Sequence, residues 1–305
     1  MVIARRNRAS RFTRVPNGRF PRTALLLQAL VVVAVAVGVF ASSAWPRVAG
    51  KIIPSPLKGS ITYCTEGNYA PLEVLSHGKA VGSDVDIGDQ VAKALGLSAK
   101  WNVMDFDAVV PALNASKCDA IIAGISVTPQ RLKQLDFASY AKAPQSLLLL
   151  KGNPKHINSM TDLSGKAVSV LAGTNDLTGL QQLNKILKKE GKSPCKISIY
   201  QSEADGIFAL KTGKVDAWAS GYGNNSWYAF KTGSGFALGP IFGPQLIPAT
   251  TYGIATLKSA KPLHVALVKA VRQLYAKGIA PRILSHWHLN AFILTTQQRA
   301  QLLKP

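Results

Sequence analysis

A pattern that occurs twice limits what this chain can fold into. ALNASKCDAIIAG spans residues 112–124 and ALKTGKVDAWASG spans residues 209–221. Each copy has Ala-Leu, three residues, Lys, one residue, Asp-Ala, an apolar run and a closing glycine. Each reads as the end of a helix, a turn, and a buried strand with glycine at its carboxyl end. Two halves of like construction explain the repeat, and 305 residues are enough for each half to bury a core.

The surrounding segments extend that reading. SITYC, AKWNVM and DAIIAG have strand composition, while DVDIGDQVAKALG, closed by Gly96, and DAVVPALNASK read as helices. Strands alternating with helices over short connections predict an α/β fold with largely parallel sheets. QSLLLLKGNP leaves the first half, and KAVSVLAGTNDLTGLQQLNKILKKEG opens the second as strand, glycine turn and helix. ATTYGIAT is a second extended crossing, and PLHVALVKAVRQLYAKG and APRILSHWHL are closing helices. The expected division is a first lobe over 58–148 and 252–305 and a second over 149–251. Two crossings between the lobes predict a cleft closed by hinge motion.

The amino terminus has a different character. Residues 1–22 hold seven arginines and no acid, and an uncharged apolar run over 24–41 is followed by SSAW. Basic, apolar, then small is the layout of a secretory signal, so 1–44 is expected to be an export leader, with an uncleaved membrane anchor as the alternative. Residues 45–57, with three prolines, read as a linker. Export implies a periplasmic location.

The whole chain has 36 Lys+Arg against 15 Asp+Glu, and without the leader 29 basic residues remain against the same acids. Such a charge suits nucleic acid, but no recognition motif accompanies it, and the lysines are scattered. A basic surface facing anionic lipid or cell-wall polymer is preferred. Cys64 and Cys118 fall in apparent strands and are expected as buried thiols, and with Cys195 no disulfide is predicted. His77, His156, His264, His286 and His288 show no metal-ligand spacing, the last two sharing an expected helix but not a face. No metal or cofactor is expected.

AIIAGISVTPQR places small and hydroxyl-bearing residues where a strand ends. Thr128 suits an N-cap and Pro129 the first position of a helix, so backbone N–H groups are left free at the sheet edge. Arg131 adds paired donors suited to a carboxylate. LAGTNDL repeats the theme in the second half with Gly173, Thr174 and Asn175. Two such edges facing one cleft would hold a small anion between them.

From about Gly59 to about His288 the sequence resembles the family 3 extracellular solute-binding proteins, the amino-acid receptors of ABC importers. GNYAPLEV, GSDVDIGDQVAKALG, FDAVVPAL, CDAIIAGISVTPQR, LDFASYA, DLSGKAVSVLAGT, GKVDAW and YAKGIAPRILSHW carry the resemblance. It implies a two-lobed periplasmic-binding-protein fold of type II, with two hinge crossings and a ligand cleft between the lobes. It also implies a monomer that serves a membrane permease. By the same resemblance Tyr69 and Phe106 flank the ligand and Arg131 binds its α-carboxylate. Gly124 and Ser126 line the first lobe, and Thr174 and Asn175 close from the second.

Three positions depart from the family pattern: Leu72, Ser83 and Gly221. The last stands where the family usually has the acid that pairs with the ligand's α-ammonium. An ammonium buried without a partner costs about 3–5 kcal/mol, so another acid substitutes or the ligand lacks that amine. Glu66 is the expected substitute, and Gly221→Asp is expected to improve amino-acid binding. The alternative function is a periplasmic cyclohexadienyl (prephenate or arogenate) dehydratase on the same fold, with Glu66 or Glu73 as proton donor. Glu73 is otherwise expected beside a turn.

Overall fold

In a computed structural model, the structure describes residues 57, 59–231 and 233–304. The leader over 1–44 and all of the linker except Leu57 lie outside these residues. The first half contains β1 (Ser60–Thr65), β2 (Asn68–Tyr69), β3 (Glu73–Ser76), β4 (Lys79–Val81), α1 (Ser83–Ala94), β5 (Ser98–Val103), α2 (Val109–Asn114), β6 (Ala120–Ile121) and β7 (Leu135–Lys142). The second contains β8 (Gln145–Leu150), β9 (Ala167–Leu171), α3 (Asn175–Lys189), β10 (Lys196–Tyr200), α4 (Glu203–Lys211), β11 (Ala217–Gly221), α5 (Tyr222–Phe230) and β12 (Phe236–Ile241). The chain returns through β13 (Thr251–Leu257) and ends in α6 (Lys261–Ala276), α7 (Ile279–His286) and α8 (Thr296–Leu302).

Two five-stranded sheets organise these elements. Their orders are β5-β1-β6-β13-β7 and β10-β9-β11-β8-β12, and β2-β3-β4 form a small antiparallel sheet beside the first. The first three strands of each large sheet run parallel, and the returning strand, β13 or β8, lies antiparallel beside them. Because β8 lies wholly in the second sheet, the first crossing falls at the Ala143-Pro144 step rather than at 148. Apolar residues at helical spacing, Leu180, Leu183 and Leu187 of α3, pack on Val168 and Val170 of β9. Ile87 and Val91 of α1 and Leu267 and Val271 of α6 join Ile61 and Tyr63 in the core of the first lobe. Each such side chain removed from water contributes about 1.5–3 kcal/mol.

The sequence repeat is also a structural repeat. Asp119 donates its N–H to Thr62 O (2.8 Å) and accepts Thr62 N–H on Oδ2 (2.7 Å). Asp216 makes the same pair of bonds to Ala167, at 2.8 and 2.9 Å. In each lobe the repeat aspartate thus clamps the beginning of the inner strand against the first strand, β1 or β9.

Three local expectations are corrected. Cys64 and Cys118 form a disulfide across 54 residues, with Cα atoms 5.6 Å apart. Cys118 lies in the turn before β6, and pairing of β6 with β1 brings it to Cys64; Cys195 is a free, buried thiol. The helix expected at Thr128-Pro129 is a single 3₁₀ turn over Arg131–Lys133, since the chain must enter β7 at Leu135. Gln130, not Thr128, is the N-cap of that turn, although Thr128 Oγ1 accepts Arg131 N–H at 3.2 Å. His288 lies beyond α7 with φ 60°, so it and His286 do not share a helix.

Candidate functional site

The sheet edges named by the sequence meet between the lobes. Glu66, Tyr69, Phe106, Gly124, Ser126, Arg131, Thr174 and Asn175 all line one cavity, together with Ala123, Gln145, Leu171, Asp176, Ser220 and Tyr252. The cavity measures about 20 Å³, room for little more than a water. The lobes are therefore shut in this structure, and a ligand the size of an amino acid enters only if they part.

Arg131 bridges the two halves. One guanidinium nitrogen donates to Ser126 O at 2.8 Å, in its own lobe, and the other to Gly173 O at 3.0 Å, in the second lobe. Its Cζ lies 5.5 Å from the centroid of the Phe106 ring, within range of a cation–π contact. Burial pulls the guanidinium down to about 10, which leaves it charged at neutral pH, and nearby Asp176 opposes that shift. On its other side lies a larger groove of about 670 Å³, walled by Phe106, Val109, Ile125, Val127, Leu246 and Ile247. Arg131, Phe106, Thr174 and Asn175 line both groove and cavity.

Tyr69 occupies the centre, and the closing glycines of both repeats make room for it. A Cβ on Gly124 would come within 2.6 Å of the ring, and one on Gly221 within 1.9 Å of the hydroxyl and 2.6 Å of the Tyr252 hydroxyl. The two tyrosine oxygens are 3.1 Å apart and hydrogen bonded. Asp84 fixes the end of β6 from behind, accepting Gly124 N–H at 2.8 Å and the Tyr140 hydroxyl at 2.6 Å on Oδ2. A side chain at Gly221, such as that of Gly221→Asp, would need the space that the two tyrosine hydroxyls fill.

Buried acids lie in and around the cavity. Glu66 is 5 % exposed, and burial, with Asp105 and Asp107 nearby, holds its carboxyl at about 7. Glu203, from α4 of the second lobe, accepts from Asn224 Nδ2 at 2.9 Å, and that nitrogen also reaches Ala70 O of the first lobe at 2.9 Å. Asp176, in the first turn of α3, is 4 % exposed, and burial raises it to about 7 against the pull of its own backbone N–H and of Arg131. Glu73 follows the turn over 70–72 as the first residue of β3 and is fully buried there, where burial and the neighbouring Asp84 push it well above the usual carboxylate range.

Sequence reasoning missed Asp176, Tyr252, Gln145 and Ser220. Asp176 stands within the quoted GTND but has the ordinary look of an acid at a helix start. Tyr252 lies inside a segment read as a crossing. Thr174 does less than expected with its side chain, since the hydroxyl donates to Leu171 O at 2.9 Å and accepts the Leu177 N–H as an N-cap. Asn175 keeps a buried Nδ2 without a hydrogen-bond partner among the described residues. Those residues contain no His/Cys/Asp/Glu group able to hold a metal ion, and no helix long and apolar enough to cross a membrane.

Two hinged α/β lobes shut over a small polar cavity define a binding protein for a small solute. A model of the bacterial extracellular solute-binding proteins, family 3, matches residues 61–290, and the chain belongs to that family. It is 29% identical over 224 residues to the L-arginine-binding protein of Pseudomonas aeruginosa, covering 70% of this chain and 82% of that one. The same figures hold for the histidine-binding periplasmic protein of Escherichia coli. Among solved structures, an ancestral arginine-binding protein bound to arginine matches with a TM-score of 0.67 and 31% identity, covering 75% of this chain and 98% of that one.

Proposed function

We propose that this chain is a periplasmic receptor for a cationic amino acid, which it delivers as a monomer to the membrane permease of an ABC importer. Residues 1–44 serve as its export leader. The observation that carries the reading is the set of charged groups that line the cavity: one guanidinium, Arg131, and two buried acids, Asp176 and Glu66. A ligand with one carboxylate and two cationic nitrogens matches that set of charges. The relatives named for arginine and histidine binding support the same class of solute.

Isothermal titration of the purified protein with L-arginine, L-lysine, L-histidine, L-glutamine and L-glutamate tests the proposal. Saturable binding of a cationic amino acid is expected, with glutamate excluded and affinity reduced about 10- to 100-fold in Arg131→Ala through loss of a charge-assisted pair. Preference for a neutral or acidic amino acid would overturn it. A carboxyl held near neutrality is also what a dehydratase needs as its proton donor, and Glu66 has that property. Prephenate therefore belongs in the same assay, where its conversion to phenylpyruvate, abolished in Glu66→Gln, would make the chain an enzyme instead.

A further inference from the structure

If the ligand is an amino acid, its α-ammonium needs an anionic partner inside the shut cavity, and the expected position cannot supply one. Gly221 has φ −57°, a backbone conformation open to any residue. The obstacle is space: Tyr69 Oη and Tyr252 Oη lie 1.9 and 2.6 Å from where a Cβ would be. Two hydroxyls bonded to each other therefore replace the carboxylate that the family resemblance puts there.

Asp176 faces the same place. It lines the cavity and is 4 % exposed, and its Oδ1 has no hydrogen-bond partner among the described residues. The ionisable groups that feel its charge are Arg131, Tyr69 and Tyr252, which are the cation expected to take the ligand's carboxylate and the two hydroxyls that fill the space at 221. An acid in the first turn of a helix ordinarily faces water and needs no other partner, but here the side chain is buried and one carboxylate oxygen has no hydrogen-bond partner among the described residues. The charged groups that bear on Glu66 are Asp105, Asp107, Glu73 and Glu203, whereas Asp176 is the cavity-lining acid whose charge bears on both hydroxyls at 221.

We infer that Asp176 receives the ligand's α-ammonium, so that in this chain the amine is read from the first turn of α3 instead of from the end of β11. The inference rests on the amino-acid receptor reading above. It assigns the two groups on one ligand carbon to different lobes, the carboxylate to Arg131 of the first and the ammonium to Asp176 of the second. Arg131 reaches across to Gly173 O, three residues before Asp176. A ligand would sit astride that existing bridge and strengthen it.

The test compares each amino acid with its analogue lacking the α-amine: L-arginine with 5-guanidinopentanoate, L-lysine with 6-aminohexanoate, and L-histidine with 3-(imidazol-4-yl)propanoate. Wild-type protein is expected to prefer the amino acid of its best pair by about 100-fold, the scale set by one buried charge partner. Asp176→Asn, which keeps the side chain's shape, should abolish that preference while leaving affinity for the analogue within about threefold. Glu66→Gln should weaken both members of the pair alike, because both carry the distal cation. An Asp176→Asn protein that keeps the preference, or that loses both compounds equally while its circular dichroism is unchanged, overturns the inference. If that variant does not fold, wild-type protein decides: equal affinity for both members overturns the inference, and preference for the amino acid that collapses in Asp176→Glu upholds it. Wild-type protein with no affinity for any of the six compounds overturns the receptor reading itself, and the inference with it.

Discussion

Tyr69 is where the two halves of the molecule meet at the scale of single residues. The repeat glycines, Gly124 and Gly221, lie against its ring and its hydroxyl, and only a residue without a side chain leaves that room. Gly124 also has φ 50°, so substitution there would mix backbone strain with crowding. Gly221 isolates the crowding, because its backbone is ordinary. Gly221→Ala should overpack the seam between the lobes at a cost of about 1–3 kcal/mol, lowering Tm by roughly 2–10 °C in scanning calorimetry. An unchanged Tm would mean that Tyr69 swings aside freely and does not hold the seam. Arg131 and the residues around it were legible because their types carry their chemistry: a fork of donors, hydroxyls and glycines where a strand ends. Asp176 was not, since what sets it apart is burial by the opposite lobe, and nothing within its own helix shows that.

Among the elements, local patterns were readable and long-range contacts were not. Helical spacing in α1, α3 and α6 and apolar runs in β1, β9 and β13 appear where the sequence put them, because the side chains that define each period lie within a few residues of one another. The Thr128-Pro129 helix fails for the opposite reason, as a good start signal is overruled by the need to enter β7 two residues after the 3₁₀ turn ends. The disulfide depends on β1 and β6 being neighbours, a fact of sheet order rather than of either strand's composition. Tying together residues 54 apart restricts the unfolded chain, and loop-closure entropy puts the stabilisation at about 2–4 kcal/mol. Urea unfolding of Cys64→Ala/Cys118→Ala should give a lower midpoint with little loss of ligand affinity, since neither cysteine lines the cavity. A midpoint equal to that of the wild type would show that the bridge adds nothing to the pairing of β1 with β6.

Across the whole molecule, a basic exterior surrounds an acidic interior, and the two titrate in different ranges. Glu66 and Asp176 are held at about 7 and Asp84 at about 6, in each case first by burial, and burial also pushes Glu73 and Glu203 well above the usual carboxylate range. In the unfolded chain such carboxyls titrate near about 4. Between about pH 4 and 7 the folded, ligand-free protein therefore binds more protons than the unfolded chain, and its stability falls as pH rises through that window. His264, whose imidazole is held below its usual value by burial, works in the other direction as one group against these five and Asp89, which burial also raises. Asp136 and Asp162 are lowered by hydrogen bonds and neighbouring lysines, so the stability they add is lost only as pH falls below about 4, outside the window. A cationic ligand reverses the slope at the site, because binding favours the ionised form of Glu66 and Asp176 and expels their protons. The Tm of ligand-free protein should fall from pH 4 to 7 while the increment added by saturating L-arginine grows, and the proton release seen by calorimetry in two buffers should shrink above pH 7. A ligand-free Tm that rises across the window, or an increment independent of pH, would mean that these acids are already ionised and paired before any ligand arrives.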